Sequence, residues 1–227
     1  MIRSLTVAYT GPFFVFLALL ALSKVVPLPA LAIQTGFVAI MAAIIAIVTR
    51  PPPDGRPAFD FRVRHWVSTP LIGLAVFAIW VAPDRLFPAY RHFWLFENPL
   101  TGRLQTGLSA EAREQTAVLW LRAIRAVAIV PVVEELFWRG WLMRWLISPR
   151  FELIPLGTWS ASAFWIVALL FASEHGPYWD VGLAAGVVYN WWMIRTRSLG
   201  DLVAAHAVTN ACLSLYVVWT GQWEYWL

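Results

Sequence analysis

The run from 29 to 49, PALAIQTGFVAIMAAIIAIVT, carries no charged side chain. About 20 apolar residues suffice to cross a bilayer as a helix. Lipid offers no hydrogen bonds, so a spanning segment must satisfy its backbone internally, which leaves helices or closed barrels. Apolar runs of similar length, too long for barrel strands, recur at 6–26, 66–83, 126–148, 158–174, 179–194 and 198–219. The pattern predicts an all-α polytopic integral membrane protein of about seven transmembrane helices, the third and sixth being short. Composition agrees: 60% of the 227 residues are hydrophobic and 13% charged, against about 25% charged in a soluble domain.

The charges between the runs test this count. With seven spans, the N-terminus and the 50–65, 144–157 and 195–197 connections share one side, and that side collects Arg3, Arg50, Arg56, Arg62, Arg64, Arg144, Arg150, Arg195 and Arg197. The opposite side holds Lys24 and an 84–115 connection in which acids match arginines. Cytoplasmic loops carry the excess of Lys and Arg, so the expectation is a cell-membrane protein with a cytoplasmic N-terminus. The first run lacks a following small-residue cleavage site and reads as a retained span. PPPDGRP at 51–57 reads as a loop, and Ser109 as the N-cap of a helix beginning LSAEAREQ. No continuous basic tract exists, which argues against nucleic-acid binding. Cys212, the only cysteine, excludes an intrachain disulfide and a Cys-rich zinc site.

Within 126–148 the stretch VVEELFWRGW places Glu134, Glu135 and Arg139 among Val, Leu, Phe and Trp. Ionisable groups inside a membrane are costly and mark function by default. Arg113, Arg122 and Arg125 predict that the segment ahead of 126 is amphipathic and interfacial, with 126–148 the span proper, kinked at Pro131. Glu135 and Arg139 are four apart, share a helix face and should neutralise each other. Glu134 points about 100° away, free to face a cavity and take a proton from water. The remaining candidates in the late runs are Glu174 with His175, and His206 with Asn210 one turn further on. An imidazole could orient the water or shuttle its proton, and His206 with Asn210 could donate to a developing oxyanion. His65 and His92 fall in connections and receive no role.

These residues resemble the motif series of the CAAX protease and bacteriocin-processing (CPBP) family of intramembrane proteases, which includes the type II CAAX prenyl endopeptidases. The series reads EELFWR at 134–139, FASEH at 171–175 and HAVTN at 206–210. The resemblance covers roughly 115–215, and divides the chain into N-terminal helices and loops over 1–115 and a catalytic core over 116–227, with the site between the last four spans. It implies that Glu134 and His175 activate water, that His206 and Asn210 stabilise the oxyanion, and that Glu135, Arg139 and Phe171 support the site. The chain is also similar to CAAX protease-related proteins that accompany bacterial exosortase systems, which implies a bacterial inner membrane. The expected partners are membrane lipid and a peptide or protein substrate, such as a C-terminal tail.

Glu134, His175 and His206 could also offer two imidazoles and a carboxylate to a zinc ion, although metal-independent hydrolysis is favoured. A non-catalytic scaffold or immunity protein retaining the motif is the alternative, with a proton-coupled transporter third. One tension concerns His175: a fifth span running outward would carry it above Glu134. Bringing the two together requires a break at Gly176-Pro177, and a separation beyond about 10 Å would end a shared-water role, since hydrogen-bond reach is near 3 Å.

Overall fold

The computed structural model describes residues 4–50 and 59–226; the loop read at 51–57 lies outside them. Among the described residues the regular structure is helical, without a sheet. The helices are α1 (Leu5–Ser23), α2 (Ala30–Thr49), α3 (Ser68–Leu86), the short α4 (Ala110–Arg113), α5 (Thr116–Trp145), α6 (Ala161–Ser173), α7 (Trp179–Thr196) and α8 (Leu199–Thr220). Five of them, α1, α2, α3, α5 and α8, are long and apolar enough to cross a membrane. The expected count of about seven is therefore corrected to five by that measure. The other two positions are helical but fall short: α6 has 13 residues, and α7 is diluted by Asp180, Asn190 and Arg195. Leu215, Val218 and Trp219 on α8, with Leu169 and Leu170 on α6, turn outward, as lipid-facing side chains do.

Helices meet where side chains are small, because in lipid close backbone approach replaces the hydrophobic driving force. Gly73 on α3 lies against α8, where a Cβ would come within 2.7 Å of Val208 Cβ. Gly186 on α7 lies against Ala168 of α6 in the same way. Ser198 caps α8 by accepting from the Asp201 N–H at 3.1 Å. The buried Asp201 carboxylate then accepts from the Arg64 and His65 N–H groups, His65 Nδ1 and Thr69 Oγ1 at 2.8–3.1 Å. His65 thus has a structural role that the sequence reading did not give it. The spacing Ser198-x-x-Asp201 is a capping signal that could have pointed there.

The 116–145 segment is one long helix. Ser109 does cap a helix, accepting from Ala112 N at 3.3 Å, but that helix ends at Arg113. A new one begins at Thr116 and runs to Trp145. Arg122 and Arg125 lie buried against the protein, at 8% and 6% exposure. Two wide i→i+5 turns, Arg125–Ile129 and Leu136–Leu142, interrupt α5. Pro131 accounts for the first consequence. The Val130 N–H reaches Arg125 O and Pro131 has no N–H, so Ala126 O is left for a side chain from another helix.

Candidate functional site

α5, α7 and α8 assemble a buried polar network behind the helix seam. Arg139 Nη1 donates to both oxygens of Glu135 at 3.0 and 3.1 Å, and both side chains are fully buried. Arg139 Nε donates to Asn190 Oδ1 at 2.8 Å, and Asn190 Nδ2 donates to Phe164 O at 2.8 Å. The guanidinium also lies 4.5 Å over the Phe171 ring. Glu135 Oε1 pairs with His206 Nδ1 at 2.8 Å. The pairing of Glu135 with Arg139 follows the four-residue spacing. Its extension to His206 does not, because it joins residues 71 positions apart.

Asn190 is the residue the sequence reading missed. A lone asparagine in an otherwise apolar run is a common interhelical hydrogen-bonding group, and VVYNWW carried that signal. Tyr189 beside it stacks on His206, with ring centroids 5.0 Å apart, and its hydroxyl donates to Thr209 Oγ1 at 2.8 Å. Thr209 Oγ1 lies 2.8 Å from Gly73 O. The imidazole of His206 is thereby fixed by an acid on one edge and a ring on one face. With Nδ1 committed to Glu135, its Nε2 is the nitrogen left for other partners.

Glu134 takes the other direction. It lines a cavity of about 410 Å³ together with Phe171, Glu174, His175, His206 and Asn210. Its Oε2 is buried and has no hydrogen-bond partner among the described residues. A buried polar atom without a partner is rare enough to need an explanation. Phe13, Phe16, Leu17 and Leu20 of α1 and Trp80 of α3 close the same cavity. The N-terminal helices thus enclose a space that the sequence reading assigned to the last four spans alone.

His175 lines the same cavity as Glu134. α6 spans only about 20 Å at 1.5 Å per residue, less than the hydrocarbon layer of about 30 Å. It stops at Ser173, and Gly176 adopts φ +52° at the start of a tight Gly176–Tyr178 turn. A left-handed backbone of this kind is readily adopted by glycine. His175 folds back against its own helix, with Nδ1 bonded to Phe171 O at 2.7 Å and the ring between Phe171 and Trp80. That bond fixes the tautomer as Nδ1–H and leaves Nε2 as an acceptor. Glu174 is exposed and borders the cavity.

Asn210 supplies the side chain that Ala126 O requires, its Nδ2 donating at 2.7 Å. A carboxamide carries two N–H donors, so one remains for a guest. Among the described residues no three His, Cys, Asp or Glu side chains gather closely enough to hold a metal ion.

The fold and site define a polytopic helical membrane protein with an acid, two imidazoles and an amide around one cavity. Residues 116–212 match the family described as Type II CAAX prenyl endopeptidase Rce1-like. The match contains all three motifs and supports assignment to the CAAX-related proteases. Searches of curated proteins and of solved structures gave no match.

Proposed function

We propose that the protein is an intramembrane endopeptidase that hydrolyses a peptide bond without a covalent intermediate. The observation that carries this reading is the unpartnered carboxylate of Glu134 in the same cavity as His175, His206 and Asn210. Glu134 accepts a proton from water while its oxygen attacks the peptide carbonyl. The free Nε2 of His175 orients that water. The carbonyl oxygen gains charge as the bond forms, and the second Asn210 N–H donates to it. His206 Nε2, when it carries a proton, donates to the same oxygen, and the Glu135 contact at 2.8 Å holds the ring in place. Collapse of the adduct breaks the C–N bond. The proton held by Glu134 passes to the departing amine, leaving a carboxylic acid and an amine. A general base of this kind is worth about 10²- to 10⁴-fold in rate, and one oxyanion donor about 10²- to 10³-fold.

On this reading α6 and α7 complete a seven-helix bundle, the N-terminus is cytoplasmic, and the substrate is a peptide segment that reaches the cavity from the membrane. Host membranes carrying wild type or Glu134→Gln at equal abundance test the proposal by comparative peptidomics. A cleavage product present with wild type and lost in the variant supports it and names the substrate. Identical peptide profiles would overturn it in favour of a scaffold. Treatment with a zinc chelator is a separate arm, in which unchanged cleavage supports the metal-independent route.

A further inference from the structure

Over residues 91–100 the long connection after α3 buries an arginine and exposes apolar side chains. Arg91 is 3% exposed, with Nε donating to Asp84 at 3.0 Å and Nη1 to Pro177 O at 2.8 Å and to Asp180. Phe93, Trp94, Leu95 and Leu100 are 70%, 75%, 47% and 97% exposed. Single exposed apolar residues are ordinary on a water-facing surface. Four of them within eight residues, beside a buried arginine, reverse what water selects and mark a contact surface.

The backbone of the same stretch leaves little for water to bond. Phe96 and Glu97 N–H donate to Phe93 O, and Asn98 N–H to Thr101 Oγ1. Pro99 has no N–H, Leu100 and Thr101 donate to Asn98 Oδ1, and Gly102 donates to Asn98 O. Every N–H from Phe96 to Gly102 is thus bonded within the loop. Asn98 Nδ2 donates to Trp94 O at 3.1 Å, Thr101 Oγ1 to Phe96 O at 2.6 Å, and Trp179 Nε1 to Leu95 O at 3.2 Å. Lipid offers a backbone no partners, so a loop at its edge has to bond itself in this way.

The stretch stands beside the end of α6. Trp94, Leu95 and Leu100 share a groove of about 460 Å³ with Leu169 of α6 and with Trp179 and Leu183 of α7. Leu169 belongs to the lipid-facing surface of the bundle, and the groove continues that surface. α6 measures about 20 Å, which leaves about 10 Å of the hydrocarbon layer for other groups to cover. His92, Glu97 and Arg103 do not line the groove.

We propose that this loop is inserted in the membrane surface. Trp94, Leu95 and Leu100 sit at the boundary between headgroups and acyl chains, and the groove holds an acyl chain of a bilayer phospholipid. Trp suits that level because its ring is apolar and its N–H polar. The proposal rests on the integral-membrane fold and not on the protease reading. It brings lipid next to the site, because the same stretch braces the turn that follows His175. Arg91 bonds Pro177 O, and Thr101 O packs against Gly176, 2.9 Å from where a Cβ would lie.

The depth of the loop can be measured in the full chain with Cys212→Ser as background. The protein is placed in nanodiscs of phosphatidylcholine and phosphatidylglycerol, which leave both faces open to buffer. Leu100→Cys and Trp94→Cys are compared with His92→Cys, the water-facing control. The first two should react with a charged maleimide at least tenfold more slowly, because a thiol in apolar surroundings ionises less. Labelled with a nitrobenzoxadiazole dye, they should be quenched by phospholipid carrying a nitroxide on its acyl chain and spared by iodide. The dye at position 92 should show the reverse. Equal maleimide rates at 92 and 100, or iodide quenching at both, overturns the proposal by placing the loop in water. Shielding of position 100 from nitroxide and iodide alike also overturns it, and a doubled particle mass would then assign the face to a second copy. Peptide cleavage plays no part in these readings, so a chain that cuts nothing can still pass or fail them.

Discussion

Glu134 and Glu135 are neighbours in the chain and opposites in the fold. On the seam side, both oxygens of Glu135 are held by Arg139, and one also faces His206. Arg139 is in turn held by Asn190. On the cavity side, Glu134 Oε2 has no partner among the described residues. The same side-chain chemistry thus serves two ends. A buried charge whose bonds are all made locks helices together, whereas one left unmade is available for a proton or a guest. The contrast follows from the 100° step of a helix, which sends adjacent residues to different surroundings.

That contrast can be broken from either side. The largest effect is expected from Arg139→Ala, which strands a buried carboxylate. Removing one partner of a buried pair costs about 3–5 kcal/mol, so the variant should melt far below wild type or fail to accumulate. Glu134→Gln should do the reverse. It replaces a group whose Oε2 has no partner among the described residues with one of the same shape, so its melting temperature should equal or exceed that of wild type while cleavage is lost. A large drop in melting temperature would mean that Glu134 is structural. Asn190→Ala should fall between the two, since a hydrogen bond to a charged group contributes about 1.5–3 kcal/mol. If Asn190 also positions the site through Arg139, kcat should fall with KM nearly unchanged.

The smallest effect lies outside the membrane. The Glu97 carboxyl is held below its usual pKa, first by the Leu104 N–H at 3.0 Å and then by His92 at 3.3 Å. A depressed carboxylate stabilises the fold above its unfolded pKa, near 4.3, and loses that contribution as pH falls through the lower folded value. Amide exchange over 97–104, corrected for intrinsic pH dependence, should therefore be slower in wild type than in Glu97→Gln at pH 6. The difference should disappear by about pH 3, on the ordinary carboxylate scale.

Hydrophobic run length is a local property, and it located a helix at each expected position. Whether a helix is a span also depends on its polar content. That is why α6 and α7 were read as crossing although α6 is short and α7 carries Asp180, Asn190 and Arg195. The motif residues of the cavity were legible for the same local reason, since charged and imidazole groups stand out against an apolar background. Arg122 and Arg125 stood out as well. Only the packing of α5 against α8 and the residues around Trp226 showed them buried against the protein.

The sequence by itself determined the helices, their apolar faces, the Glu135–Arg139 pair and the set of groups able to do chemistry, because each depends on spacing within one segment. The tertiary structure decided which of those groups meet. Joining His206 to Glu135, Asn190 to Arg139 and Asn210 to Ala126 O closes contacts over 51 to 84 positions. No periodicity encodes such distances, and only the packing of α5, α7 and α8 fixes them.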